Sequence, residues 1–232
     1  MNISDLKAAG EFAQNFGCKA LVYGPAGTGK TPILNSAPRP LLLATEPGLL
    51  SMRGSKIPTW EAYTPARIDE FFKWFFNSNE TKNFDTLGVD SASQVADVYL
   101  VDALKNNKHG LKAYGEMADN TMEHLRTLYY TRYKHTYVIC KEEIKDVDGQ
   151  TMRRPYFPGQ VLPIMVPHLY DFIIRCAKTN VPGVNGETLA FQCVGSYNIL
   201  SRNRTGNLNQ YEEPHFGRLI EKAMTNQPIG VY

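Results

Sequence analysis

The segment Gly24-Pro25-Ala26-Gly27-Thr28-Gly29-Lys30-Thr31 constrains the fold more than any other stretch of the chain. It satisfies G-x-x-x-x-G-K-[ST] at every fixed position. It also stands between a β-prone run, Cys18 to Tyr23, and a helix expected from about Lys30. In that setting glycines let consecutive backbone N–H groups curl around phosphate oxygens, and a helix start adds partial positive charge. Lys30 would then reach the β- and γ-phosphates, and the Thr31 hydroxyl would ligate Mg²⁺. Pro32 falls in the first helical turn, where its missing N–H costs little. The loop therefore predicts a site for ATP with Mg²⁺ on a sheet of parallel strands.

The rest of the chain is consistent with such a sheet. Ser4 is placed to cap a short helix within residues 1–17. Pro40 to Thr45, Thr86 to Asp90 and Tyr137 to Cys140 are apolar runs without alternation, as strands covered on both faces should be. Thr64-Pro65 opens a helix whose Ile68, Phe71, Phe72, Phe75 and Phe76 recur at helical spacing and read as core. Helices are also expected from Ser91 to about Leu104 and, past a polar basic break, along Ala118, Met122, Leu125 and Tyr129. The texture then changes. Asp148-Gly149 and Asn185-Gly186 are hairpin dipeptides. Short strands are expected at Phe172 to Cys176, Leu189 to Val194 and Asn198 to Arg202, with a last helix from His215 to Met224. The fold class is α/β: a mostly parallel sheet flanked by helices, with a C-terminal antiparallel β extension. One domain is expected, with a core over 18–180 and an extension over 181–232.

Two acidic residues end strands on the edge where ligands of such sheets bind. Asp90 is the natural second magnesium partner, and it can also cap the helix that follows. Glu46 ends the second strand. It is either a surface residue of the turn Glu46-Pro47-Gly48 or the carboxylate that orients and deprotonates water.

The glycine-rich loop, Ala44-Thr45-Glu46 and Val89-Asp90-Ser91 together resemble the Walker A loop, catalytic glutamate and Walker B strand of RecA-like P-loop ATPases. With the short chain and the run Leu42 to Leu50, the resemblance is nearest to phage ATPases of the Sak-four kind, which act in single-strand annealing and recombination. It covers roughly Lys19 to Gly206. It implies a sensor at the end of the next strand, at Lys141 or Glu142, where RecA usually carries glutamine. Ser201 to Gly206 resembles the K-N-R-F-G motif of RadA proteins, which implies that Arg202 and Arg204 reach the triphosphate of a neighbouring subunit. Self-assembly into a ring or filament follows from that. The implied partners are single-stranded DNA and a single-stranded DNA-binding protein. Two mobile DNA-facing loops are implied as well. The first carries Lys105, Lys108, His109 and Lys112. The second carries Arg153, Arg154, Tyr156 and Phe157, where cations beside rings suit a single strand.

The formal net charge of +2 makes any nucleic-acid site a local patch. Cys18, Cys140, Cys176 and Cys193 lie in or beside apolar runs without metal-ligand spacing, and read as buried thiols of a cytoplasmic protein, the host cytoplasm if phage-encoded. No stretch is apolar enough to predict a membrane span or a signal peptide. Two other readings stay open: an annealing module that uses ATP as a structural ligand, and a small-molecule kinase. The kinase would need an arginine-rich lid that the sequence does not display.

Overall fold

The computed structural model describes residues 6–225, apart from 7, 14 and 148. The N-terminal helix is present as α1, Ala9–Ala13; its expected cap, Ser4, and the turn residue Asp148 lie outside the described residues. Six strands run parallel: β1 (Lys19–Gly24), β2 (Pro40–Ala44), β3 (Thr59–Glu61), β4 (Thr86–Asp90), β5 (His135–Val147) and the first half of β7 (Phe172–Asn180). Their spatial order is β7-β1-β5-β4-β2-β3, so β5 separates the strand before the loop from the strand that ends in Asp90. The antiparallel part adds β6 (Gln150–Pro155) as a hairpin on β5, then β8 (Glu187–Gln192) and β9 (Arg202–Asn203) on β7, and β10 (Tyr211–Glu212) on β8. This is the α/β arrangement expected from the sequence.

Alternation along the strands divides the core in two. Leu21, Tyr23, Leu43, Val89, Val138 and Ile173 face the helices α3 (Pro65–Asn77), α4 (Ala92–Asn106) and α5 (Gly110–Tyr130). Val22, Leu42, Tyr137 and Ile174 face Ile33, Leu34 and the last helix, Phe216–Ala223. Burial on both faces is why the strands read as continuous apolar runs. Thr64 caps α3 by accepting from the Arg67 N–H, with Pro65 at the first helical position. Ser91 caps α4 in the same way, accepting from Gln94. Of the aromatic stripe, Phe71, Phe72 and Phe75 are buried, and Phe76 is partly covered.

Three elements depart from expectation. The helix after the glycine-rich loop, α2, is a single turn, Lys30–Ile33, continued by a 3₁₀ turn at Leu34–Ser36. Ala37, which precedes Pro38, is extended at φ −79° and ψ 151°, so the helix cannot continue. The edge strand β3 around Trp60 was not expected; three residues are too few for a pattern to show. The strand expected at Asn198 to Arg202 shrinks to β9. Residues 194–201 form a loop closed by paired hydrogen bonds between Ser196 and Ile199. The remaining helix, α6 (Leu162–Met165), is one turn long. Among the described residues, no helix is long and apolar enough to cross a membrane.

Candidate functional site

The strand register brings the sequence-predicted groups to one edge. Gly24 pairs with Lys141, Asp90 with Ile139, and Ala44 with Asp90, so Gly24 to Thr31, Glu46, Asp90 and Lys141 all lie at the carboxyl ends of adjacent parallel strands. The loop turns on Gly27 and Gly29, at φ 76° and 72°, a region that disfavours side chains with a Cβ. Thr28 Oγ1 donates to the Pro25 carbonyl at 3.0 Å. Lys30 Nζ donates to the carbonyls of Gly24 and Pro25 at 2.9 and 2.8 Å, so its ammonium lies inside the loop's curve. Burial pulls this ammonium below its usual pKa range, while Asp90 and Glu142 pull it back. The Tyr137 hydroxyl donates to the Lys30 carbonyl at 2.9 Å and anchors the first turn of α2 from below.

Thr31 Oγ1 donates to Asp90 Oδ2 at 2.6 Å, which joins the loop to the end of β4. Burial holds the Asp90 carboxyl above the usual carboxylate range. The Thr31 hydrogen bond works against that, the neighbouring Glu46 carboxylate adds to it, and Lys30 opposes it. Thr45 fixes the same corner: its N–H donates to the Asp90 carbonyl at 2.8 Å, and its Oγ1 accepts from Ser91 N–H at 2.9 Å. The Asp90–Ser91 peptide is cis. Glu46, one residue on, is half-buried beside this corner.

The residues present fit a magnesium nucleotide. Positive-φ glycines, an ammonium within the loop, and a hydroxyl–carboxylate pair supply the donor set that such a ligand requires. Among the described residues, no cluster of three or more His, Cys, Asp or Glu could cage an ion. A divalent ion here would therefore take Thr31 and Asp90 together with phosphate oxygens and water, the usual manner for Mg²⁺.

The two sensor candidates differ. Lys141 Nζ is held over α4 by Gln94 Oε1 at 2.8 Å and Asp97 Oδ2 at 3.2 Å. The Glu142 side chain is buried, and its carboxylate takes Arg175 Nε at 2.6 Å and Arg153 at 3.4 Å. Arg175, Thr45, Tyr137 and Cys176 support the site and were not singled out from the sequence.

Arg202 and Arg204 are not brought to the loop within one chain. Arg202 pairs with Ile173 and lies at the amino ends of the parallel strands, opposite the glycine-rich loop. It donates to the Pro167 carbonyl at 3.1 Å, and Arg204 donates to Asp171 Oδ1 at 3.0 Å.

Of the residues expected at DNA, Lys105, Lys108, His109 and Lys112 are exposed at the turn between α4 and α5. The second expected loop is instead the β5–β6 hairpin. There Arg153 faces Glu142, and Arg154 donates to Glu143 at 2.7 Å. Tyr156 is half-buried, with its N–H on the Lys141 carbonyl. Phe157 is a core residue at 2% exposure, which corrects its placement among DNA-facing rings. An aromatic ring beside a proline-flanked turn packs inward when the adjoining sheet face is apolar, as it is here.

The model of a family described as "AAA domain" matches residues 17–205, most of the chain, and the chain belongs to that family. Curated proteins yielded no match. Among solved structures the chain is similar to the KaiC-like protein PH0186 of the hyperthermophilic archaeon Pyrococcus horikoshii OT3, at 14% identity over 76% of each chain, with a TM-score of 0.42.

Proposed function

We propose that this AAA-domain protein binds and hydrolyses ATP with Mg²⁺ and acts on single-stranded DNA, as phage-type recombination and replication ATPases do. The observation that carries the nucleotide part is the 2.6 Å contact between Thr31 Oγ1 of the loop and Asp90 Oδ2 of β4. It sets a hydroxyl and a carboxylate side by side at the first turn of α2, directly after the loop. Mg²⁺, when bound there, would neutralise phosphate charge. Lys30 would exchange its two carbonyl partners for phosphate oxygens, a charge-assisted contact stronger than either. Glu46 stands two residues past β2, the strand that pairs with β4, where it would orient a water and accept its proton.

Arg202 and Arg204 would complete the site of a neighbouring copy. Their position at the far ends of the strands supports a head-to-tail contact, and such contacts make rings or filaments. For DNA, the exposed Lys108 and Lys112 supply cations, and Arg153, Arg154 and Tyr156 supply a second, partly neutralised face. A single-stranded DNA-binding protein is a further partner of this reading.

The test is ATP turnover with and without single-stranded DNA. Stimulation by DNA is the expected result. Tight ATP binding with negligible turnover would point to an annealing module instead. Phosphoryl transfer to a small acceptor, indifferent to DNA, would sink the proposal.

A further inference from the structure

β1 runs between β5 and β7, and both flanking strands touch the glycine-rich loop it leads into. Gly24 has φ +157°, and a Cβ built on it would stand 2.0 Å from the Cys176 carbonyl oxygen of β7. Cys176 Sγ also lies 3.8 Å from the Thr28 carbonyl. Burial pushes that thiol up to about 11, so it stays an S–H donor toward the carbonyl. The loop therefore rests on one residue of β7 at two points, its first glycine and Thr28.

Cys176 is held at that height by its own strand. Its neighbour Arg175 points to the other face of the sheet and is buried there. Arg175 Nε donates to Glu142 Oε2 at 2.6 Å, and Nη1 donates to Gln192 Oε1 of β8 at 2.8 Å. Glu142 belongs to β5 and Arg175 to β7, so the pair spans β1 at Tyr23, the residue before the loop. The Tyr23 hydroxyl in turn lies within 3.0 Å of the carbonyls of Arg153 and Leu200. A buried arginine–carboxylate pair adds little net stability compared with apolar residues of the same volume. It does supply a directional, forked contact that fixes relative position.

Resting on the reading of the loop as a Mg–ATP site, we propose that Arg175 and Glu142 are positioning residues for that site. They brace β7 against β5 across β1, and thereby hold Cys176 where Gly24 and Thr28 need it.

The test measures Mg–ATP affinity at a temperature where each variant is folded by circular dichroism, alongside its melting temperature. Arg175→Met and Glu142→Gln are expected to weaken Mg–ATP binding by about tenfold or more, the scale on which small misplacements act. Arg175→Lys should recover part of the loss. Arg39→Ala, which breaks a surface pair with Asp85 at the opposite strand ends, should leave affinity unchanged. Folded Arg175→Met and Glu142→Gln proteins with wild-type affinity but lower melting temperatures would overturn the proposal, because the pair would then be structural only. If neither folds, Gln192→Ala removes only the outer hydrogen bond to Arg175. A measurable loss of affinity in that variant supports the brace, and wild-type affinity overturns it. Absence of Mg–ATP binding by the wild-type protein would instead refute the nucleotide reading itself.

Discussion

Asp90→Asn should separate function from stability, because its two effects have different signs. The Asp90 side chain is buried, at 9% exposure, and burial already disfavours its charged form. Asparagine has nearly the same shape, and its Oδ1 can still accept from Thr31. Replacing the carboxylate exchanges a hydrogen bond to a charged group, about 1.5–3 kcal/mol, for a neutral one of about 0.5–1.5 kcal/mol. It also removes the cost of burying a charge. The two nearly cancel, so the melting temperature without ligand should stay within about 4 °C of wild type, or rise. With ligand the outcome reverses. A nucleotide at about 100 times its Kd stabilises the wild type by about 2.7 kcal/mol, which is about 5–11 °C for a chain of this size. The variant has lost the ionic partner of Mg²⁺ and should show little of that shift. Thermal denaturation with and without Mg–ATP reads both effects in one experiment. Strong destabilisation of the variant without ligand, or a full ligand-induced shift in it, would refute this role. Asp90 would then be structural.

Glu46→Gln should bind Mg–ATP like wild type but hydrolyse it at least about a hundredfold more slowly, the usual scale for a lost general base; normal turnover would place the base elsewhere. Mixing Lys30→Ala protein with Arg202→Ala/Arg204→Ala protein should restore part of the activity, since some interfaces would join an intact loop to intact arginines. If assembly is confirmed and no mixing ratio gives rescue, the arginines serve only the contacts seen within one chain. Below pH 6.5, the ordinary pKa of a histidine, the protein should lose stability as pH falls, in part through His135. Its Nδ1 accepts the Cys18 N–H at 3.0 Å, and burial and Lys19 hold its pKa down. The folded state therefore binds fewer protons than the unfolded state, and stability is present above that pH and lost below it. A pH–stability curve with the same slope in His135→Ala would exclude this residue as a contributor.

The parts of the site that could be read from the sequence are those whose chemistry is local. Gly24 to Thr31 carries its glycines, lysine and hydroxyl within eight consecutive positions, and Asp90 ends an apolar run that reads as a covered strand. The shortness of α2 was legible in principle, since Pro38 forces Ala37 out of the helical region. The place of Arg202 was not. The resemblance of Ser201 to Gly206 to a RadA motif implies contact with phosphate, but only the antiparallel register with Ile173 puts Arg202 at the far edge of the sheet. The brace at Arg175 is an intermediate case. An arginine inside Phe172 to Cys176 cannot be buried there without an acceptor. Glu142, just beyond the apolar run Tyr137 to Cys140, is an acid at the corresponding strand end. A charge within an apolar strand is thus a demand for a partner, even when the partner is 33 positions away. Adjacency is what the sequence could not supply. β5 and β7 are not neighbours. They become partners only because β1 lies between them and ends at Gly24, so that Glu142, one position past the Gly24–Lys141 pair, can reach Arg175.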